Sequence, residues 1–195
     1  MKNEKPMSLK TGAGTAATRE PVADGDGVSK VAAGGNWLWS RWAPLGLTVA
    51  LVTLLVDQAH KYWMLHVYDI EAKGRVTVTP FLDLVFVKNI GISYSMFNQD
   101  SQAGQYALTA FAVVASIAMW VWMNRAATGR LMTWSLALII GGALGNAIDR
   151  VMIGGVADFF SMHAFGFYWY VFNIADVAIV AGVVGLLYDS FTSES

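Results

Sequence analysis

Four apolar stretches are separated by more polar segments along the chain. They run from Leu45 to Met64, from Tyr106 to Met123, from Leu131 to Ile148 and from Val171 to Tyr188. At 1.5 Å per residue, each is long enough or nearly long enough to cross about 30 Å of hydrocarbon as a helix. The last three are a little short, so flanking residues complete the span or the bilayer thins locally. The pattern predicts four transmembrane helices.

Small residues recur at helical spacing in the third and fourth stretches. Gly141 precedes Gly145 by one helical turn, and Ala178 precedes Gly182 by the same interval. Such pairs allow two membrane helices to approach closely. The alternative interpretation is flexible apolar sequence with no packing role.

The loop between the first and second helices, residues 66–105, has a different pattern. Val76 to Thr79 alternates, Pro80 interrupts, and Leu82 to Val87 is apolar and rich in β-branched residues. This pattern predicts a small extracytoplasmic β-rich domain at the membrane surface. Asn89 and Gly91 follow, a pair that commonly forms a turn, although Asn89 could also contact a ligand.

Polar residues in and beside the helices are expected on one side of the membrane. Because successive helices alternate in direction, the ends of helices 1 and 3 and the starts of helices 2 and 4 share one surface. The polar residues there are Asp57, Lys61, Asn146, Asp149, Arg150, Asn173 and Asp176, with Asp158 between helices 3 and 4. Charges in apolar surroundings are costly unless they are paired or needed. The placement predicts one interfacial functional site.

A purely structural interpretation competes with the functional one for some of these residues. Asp57 and Lys61 are i and i+4 on one helical face, and Arg150 also has acidic neighbours, so ion pairs can account for all three. That interpretation is weaker for Asp158 and Asp176. The nearby cations are too few to neutralise every carboxylate, so at least one carboxylate is expected to be protonated or to share a proton.

Composition supports a membrane protein and excludes several functions. Of 195 residues, 55% are hydrophobic and only 14% are charged, and the mean hydropathy is +0.47. The formal net charge of −1 offers no basic patch for nucleic acid. Cysteine is absent, which excludes disulfides, thiolate metal sites and cysteine nucleophiles.

The N-terminal residues 1–36 lack aromatic side chains before Trp37 and show no apolar periodicity, which predicts a disordered tail. The first apolar stretch is too long for a signal peptide and predicts a retained membrane anchor. Trp37, Trp39 and Trp42, with Arg41, are typical of an aromatic belt at a membrane surface. Lysine and arginine are nearly balanced between the two sides. Discounting the long loop places both termini in the cytoplasm.

Five blocks of sequence resemble those of the lipoprotein signal peptidases, the signal peptidase II family. They are VDQAHKYWM at 56–64, VKNIGISYSMF at 87–97, GGALGNAIDRV at 141–151, VADFF at 156–160 and FNIAD at 172–176. The order and spacing agree through nearly all of residues 42–188. At residues 92–94 the chain has Ile, Ser and Tyr where the family has small residues.

The resemblance implies an aspartyl endopeptidase of the bacterial inner membrane, with its active site at the periplasmic side. Its substrate would be a diacylglyceryl-modified prolipoprotein, cut just before the lipidated cysteine. Membrane lipid would be its other partner. The family's catalytic pair corresponds to Asp158 and Asp176. Its other motif positions, thought to bind substrate or shape the site, correspond to Asp57, Lys61, Asn89, Asn146, Asp149, Arg150 and Asn173. Residues 37–190 would form the peptidase domain.

Chemistry that two carboxyls can perform agrees with this resemblance. One can activate water while the other, protonated, serves the leaving amine, with neither a metal nor another cofactor. The sequence has no zinc-binding His-Glu-x-x-His pattern, and His163 is expected to form hydrogen bonds at the interface. A proton-coupled transporter would also bury Asp and Lys, but it would show internal repeats. A non-catalytic assembly subunit would need no carboxylate pair. The oligomeric state stays open.

Overall fold

The computed structural model describes residues 37–91, 101–127 and 129–193. The predicted N-terminal tail and the departure from the family pattern at residues 92–94 lie outside these ranges.

Helices dominate the described part of the chain. Helix α1 is Ala43–Tyr62 and continues into a π-helical turn, Trp63–Val67, and the short α2 is Ile70–Lys73. The remaining helices are α3, Gln102–Ala126; α4, Arg130–Ile153; and α5, Ile174–Ser193. Four segments within the described ranges are long and apolar enough to cross a membrane: Ala43–Val67, Gln102–Ala126, Arg130–Ile153 and Ile174–Thr192. The four predicted helices are therefore confirmed.

Flanking residues complete the second and third spans, one of the two predicted ways to cross the membrane, and make them 25 and 24 residues long. Ser101 begins α3 by accepting a hydrogen bond from the backbone N–H of Gly104 at 3.2 Å, and Gly154 ends α4 with a φ of 69°. The predicted start of the fourth helix was wrong. This helix begins at Ile174 rather than Val171, since residues 167–172 form a strand.

Four antiparallel strands form one sheet in the order β1-β2-β3-β4. They are β1, Val76–Thr79; β2, Leu82–Asn89; β3, Val156–Ala164; and β4, Phe167–Phe172. The first two strands lie in the loop between α1 and α3, as predicted. The prediction missed the other two, which come from the connection between α4 and α5. The fold is a membrane helical bundle with a four-stranded sheet and is not purely helical.

A tight turn joins β3 to β4 and explains how the second hairpin forms. Ala164 pairs with Phe167, so only Phe165 and Gly166 lie between the strands. Both have positive φ, 52° and 83°, which is the backbone geometry of a two-residue hairpin turn. Asparagine and glycine are the usual residues in such a turn, so phenylalanine hides the signal in the sequence.

Helix α4 lies at the centre of the bundle, because 56% of its most apolar 18-residue stretch is buried compared with 11–28% in the other spans. It packs by means of glycines. A methyl group added at Gly141 would lie 2.6 Å from the carbonyl oxygen of Ala50 on α1, and one at Gly142 would lie 2.5 Å from that of Ala175 on α5. On α5, Gly182 approaches the carbonyl of Ser135 equally closely. The small residues therefore allow close helix contact, as predicted for Gly141 and Gly182.

Candidate active site

A buried lysine connects α1 to α4. The Lys61 ammonium lies 2.8 Å from Asp57 Oδ2, on the preceding turn of α1, and 2.7 Å from Asp149 Oδ2 on α4. It also donates a hydrogen bond to Asn146 Oδ1 at 3.1 Å. All four side chains are buried. One cation thus serves two carboxylates, and the predicted pairing of Asp57 with Lys61 is present.

Both carboxylates also accept hydrogen bonds from backbone amides at the edges of the site, Asp57 through its other oxygen and Asp149 through the same oxygen that pairs with Lys61. Asp57 Oδ1 accepts from the N–H of Ala175 at 3.0 Å, in the first turn of α5. Asp149 Oδ2 accepts from the N–H of Ala157 at 3.1 Å, in β3 beside Asp158. A carboxylate at a helix N-terminus is favoured by the helix dipole and by the free N–H groups there. Asp57 and Asp149 therefore fix the start of α5 and the position of β3.

Gln58 belongs to this network although no sequence pattern singled it out. Its Nε2 donates to Asp149 Oδ1 at 3.0 Å, to the Gly145 carbonyl at 3.2 Å and to Asp57 Oδ2 at 3.3 Å. A neutral glutamine beside an aspartate has no charge or spacing signal of its own. Only the approach of α1 to α4 at Gly145 shows that it bridges the two carboxylates.

Asp158 lies on β3 and is held by two asparagine amides. Asn173 Nδ2 donates to its Oδ1 at 2.7 Å, and Asn89 Nδ2 donates to its Oδ2 at 3.1 Å. The side chain is almost fully buried, with 1% exposure. Burial, followed by the charge of Asp176, raises the pKa of Asp158 from 3.8 to about 7, against the opposing hydrogen bonds from Asn89 and Asn173. Asp158 is therefore poised to exchange a proton near neutral pH.

Asp176 lies in the first turn of α5 and forms a reciprocal pair with Asn173. Asn173 Oδ1 accepts from the backbone N–H of Asp176 at 2.9 Å, and Asp176 Oδ2 accepts from that of Asn173 at 3.1 Å. This is the geometry of a capping box at a helix N-terminus. The other oxygen, Oδ1, accepts from Asn146 Nδ2 at 2.9 Å. Asn173 therefore binds both Asp158 and Asp176 and brings them into one site.

Asn146 and Asn89 each use both ends of their amide groups. Asn146 Oδ1 accepts from Lys61 and from Asn173 Nδ2, while its Nδ2 donates to Asp176. Asn89 Oδ1 accepts from the N–H of Gly91 at 3.1 Å, closing a turn, while its Nδ2 donates to Asp158. Asn89 therefore closes the predicted turn and also contacts Asp158, while its contact with a ligand stays a prediction.

Arg150 is placed differently from what an ion pair would require. Its guanidinium donates to two backbone carbonyls, that of Asn146 at 3.1 Å and that of Gly91 at 3.2 Å. Within residues 37–91, 101–127 and 129–193, its side chain forms no salt bridge with a carboxylate. The arginine therefore anchors the end of β2 to α4, and all the predicted site residues join one hydrogen-bonded network.

A cavity of about 400 Å³ opens beside this network. Its polar wall contains Asn89, Asn146, Arg150 and Asp176. The rest of the lining is mainly apolar and comes from α3, α4 and α5: Leu108, Phe111, Ala112, Ala115, Met119, Ile139, Ala143, Ile179 and Val180. Polar side chains of the network and apolar side chains of three helices therefore line the same cavity.

A second polar cluster lies apart from the site, on the sheet. Arg75 Nη1 is 2.7 Å from Asp83 Oδ2, and His163 Nε2 is 3.4 Å from Asp83 Oδ1. The hydrogen bond from Arg75 holds the pKa of Asp83 below its ordinary value. His163 Nε2 therefore lies beside a carboxylate of the sheet, but neither of the two atoms has a hydrogen-bond partner among the described residues, so the hydrogen-bonding role of His163 stays a prediction. In the described part of the chain, no group of three or more His, Asp or Glu residues is arranged as metal ligands.

Known proteins share both the sequence and the fold. Residues 49–192 match the family model described as signal peptidase (SPase) II. A lipoprotein signal peptidase of Beijerinckia indica subsp. indica is 51% identical over 150 residues, covering 77% of this chain and 89% of the relative. One from Nitrobacter hamburgensis is 52% identical over 150 residues, covering 75% and 91%. A solved bacterial membrane enzyme, determined by the in meso method at 2.3 Å, superposes with a TM-score of 0.65 at 26% identity, covering 78% and 90%.

Proposed function

The chain belongs to the signal peptidase II family, and from this membership and the site geometry we propose that Asp158 and Asp176 are its catalytic pair. The family activity is the removal of signal peptides from prolipoproteins by a membrane aspartic peptidase. That activity does not fit a transporter or a non-catalytic assembly subunit, the two alternatives compatible with buried charges.

The observation that supports the pair is the division of the carboxylates into two kinds. Asp57 and Asp149 share the Lys61 cation. Asp158 and Asp176 instead accept hydrogen bonds from uncharged amides, and the described residues give neither of them a salt bridge. Without a cation, two neighbouring buried carboxyls are most stable when they share one proton. The raised pKa of Asp158, about 7, is caused first by burial and second by the charge of Asp176, and it agrees with such sharing.

A shared proton gives the pair both functions that peptide hydrolysis needs. The ionised carboxylate takes a proton from water while the water oxygen adds to the scissile carbonyl carbon. The protonated carboxyl donates a hydrogen bond to the carbonyl oxygen, and a proton then passes to the departing amine nitrogen as the C–N bond breaks. The pair returns to its singly protonated state. Because water and not a carboxylate adds to the carbonyl carbon, no covalent intermediate with the enzyme forms.

The surrounding residues have positioning roles in this proposal. Asn173 contacts both carboxyls, Asn89 fixes Asp158, and Asn146 fixes Asp176. Asp57, Asp149 and Lys61 hold α1, α4, α5 and β3 together around them. Arg150 supports the end of β2 through the Gly91 carbonyl. A rigid surrounding shell of this kind keeps reacting groups in productive geometry.

The apolar cavity beside Asp176 suits a lipid-bearing substrate. We expect the cleavage point, immediately before a diacylglyceryl-modified cysteine, to lie at the polar wall with apolar groups in the chamber of α3, α4 and α5. We also propose that the enzyme lies in the bacterial inner membrane with both termini cytoplasmic and the site at the periplasmic side. Residues 37–190 would form the peptidase domain, after a tail at residues 1–36.

Cleavage of a purified, lipidated prolipoprotein by matched variants tests the pair. Asp158→Asn and Asp176→Asn each keep the side-chain shape but remove one member of an acid and base couple. Each should reduce the cleavage rate by about 10³-fold or more, and the double variant should lose little more. The rate of the unaltered enzyme should follow a bell-shaped pH profile. The control is Asp69→Asn, at an exposed carboxylate.

Folding of each variant must be checked by its melting temperature in the same detergent. Near-normal cleavage by either single variant would refute the catalytic pair. Unfolding of both would instead return these aspartates to a structural role, since Asp176 also caps α5. Retained folding with lost cleavage supports the proposal.

A further inference from the structure

The two faces of the sheet differ in chemistry. One face carries Arg75, Asp83, Ser161, His163 and Tyr168: Asp83 pairs with Ser161 in register, and the Tyr168 ring lies 5.0 Å from that of His163. Phe159 is two residues before Ser161 on β3 and so lies on this face as well. It belongs to the same buried cluster as Ile70 of α2, so this face packs near α2. Side chains alternate between faces along a strand. The polar residues therefore share the side of the sheet that α2 covers.

The other face is apolar, and part of it is uncovered. We define the aromatic face as Phe81, Leu82, Phe160, Met162, Phe167 and Phe172. All but Phe167 line one shallow depression with purely apolar walls. Phe167 follows by alternation, because its neighbour Tyr168 lies on the polar face. Phe81 and Phe167 are 56% and 77% exposed, which is unusual for large aromatic side chains in water.

The aromatic face is continuous with the membrane surface of the bundle. The same depression is completed by Ile174 and Val177, in the first turn of α5. Val177 is exposed and belongs to a segment long and apolar enough to span a membrane. The apolar surface therefore continues from this segment onto the sheet without a polar break.

The β3-β4 turn provides an independent observation. Phe165 is completely exposed, at 102%, and adopts a φ of 52° that a bulky residue rarely accepts. Its side chain therefore gains nothing from packing within the described chain and adds strain to the turn. The β1-β2 turn, which contains Phe81, lies at the same end of the sheet, because Leu82 pairs with Met162 near the end of β3. Both turns present an exposed phenylalanine.

We infer that the aromatic face and the Phe165 turn lie on the bilayer, with lipid as their occupant, so that the sheet rests on the membrane surface beside α5. Aromatic side chains are favoured at the headgroup level. Burial in lipid would offset both the exposure of Phe81 and Phe167 and the strain at Phe165. Asp158 lies on β3 two residues before Phe160, so the two side chains are on the same side of the sheet. A sheet held by lipid would keep that side at a constant depth.

Position-specific labelling tests the inference directly, since the chain contains no cysteine and a single introduced cysteine labels uniquely. Phe165→Cys and Phe167→Cys are labelled with an environment-sensitive fluorophore in lipid nanodiscs that hold one enzyme copy. The matched control is Glu71→Cys, exposed in α2 on the polar side. None of these residues belongs to the proposed catalytic network, so the readout does not depend on the catalytic pair.

The expected result is a blue shift of emission at positions 165 and 167 and a loss of emission when nitroxide-bearing lipids are added. The label at position 71 should show neither change. Equal emission and equal quenching at all three positions would overturn the inference. Separate discs that hold two enzyme copies provide a comparison. A blue shift that appears only in these discs, without lipid quenching, would also overturn the inference and would assign the aromatic face to a second copy of the chain. Melting temperatures of the labelled variants confirm that each is folded.

Discussion

Replacing Asp158 by asparagine should change the pH dependence of stability in a defined direction. The folded-state pKa of about 7 lies above the ordinary value of 3.8. Between these values the folded enzyme keeps a proton that the unfolded chain has released. The stability contributed by Asp158 is therefore fully present below about pH 3.8 and is lost as the pH rises through about 7.

The expected magnitude follows from the size of the pKa shift. One pKa unit corresponds to about 1.4 kcal/mol. Ionisation of Asp158 should therefore lower the free energy of unfolding by about 3 kcal/mol as the pH rises from 5 to 8. Asparagine cannot ionise and removes this loss. Its amide also faces the amide of Asn89 and loses one hydrogen bond, at about 1 kcal/mol. That loss is the same at both pH values, so it cancels in the comparison.

Melting temperatures in nanodiscs at pH 5 and pH 8 measure the effect. At about 2 to 4 °C per kcal/mol for a chain of this size, the unaltered enzyme should lose about 6 to 12 °C more than Asp158→Asn over this interval. Asp69→Asn is the matched control, because Asp69 is exposed and asparagine tolerates its φ of 54°. Identical pH dependence in the enzyme and in Asp158→Asn would refute a carboxyl titrating near pH 7.

Three further predictions concern the support of the site and its chemistry. Lys61→Met should lower the melting temperature and the cleavage rate together, by about 3 kcal/mol or more in stability, since two buried carboxylates lose their shared cation. Full stability without turnover would show that Lys61 acts on the substrate instead. Gly145→Ala should destabilise by about 1 to 3 kcal/mol, because its methyl group would lie 2.5 Å from Asp57 Oδ2. Gly129→Ala meets nothing within 4 Å, and equal melting of both variants would contradict the packing argument. Strong chelators should leave the cleavage rate unchanged, because two carboxyls suffice; a loss that zinc restores would exclude the two-aspartate mechanism.

The sequence was most informative where a long pattern left few alternatives. Apolar stretches of about twenty residues can cross a membrane only as helices, because lipid offers no hydrogen bonds to the backbone. The alternation of helix direction then placed Asp57, Asn146 and Asp176 on one side before any contact was known. The network of hydrogen bonds among them agrees with that placement.

The second hairpin was missed because its sequence looks like the beginning of a helix. Residues 167–172 read FYWYVF, and only the short segment 173–176, NIAD, separates them from the apolar stretch of α5. Periodicity cannot separate a strand from a helix over so short an apolar run. The strand depends on pairing with β3 and on the Phe165-Gly166 turn. This turn has phenylalanine where asparagine usually precedes the glycine, so the usual turn signal is missing.

Site residues without charge were also hard to find from sequence. Gln58 contacts Asp149, which is 91 positions away, and the contact depends on the close approach of α1 to α4 at Gly145. An ion pair was one of two interpretations of Arg150, but its guanidinium donates to backbone carbonyls. Such contacts are set by distances between helices, and the spacing of residues within one helix does not contain them.

The placement of Asp57 and Lys61 one turn apart has a consequence for biogenesis. Helix α1 leaves the ribosome first, before α4 and α5 exist, and its two charges must enter lipid without their later partners. At i and i+4 they neutralise each other within a single nascent helix, which lowers the cost of partitioning. Asp57 can then receive the N–H of Ala175 when the last helix arrives. The first helix thus carries in advance the group on which the last helix docks, so we expect the bundle to close only after the whole chain has been translated.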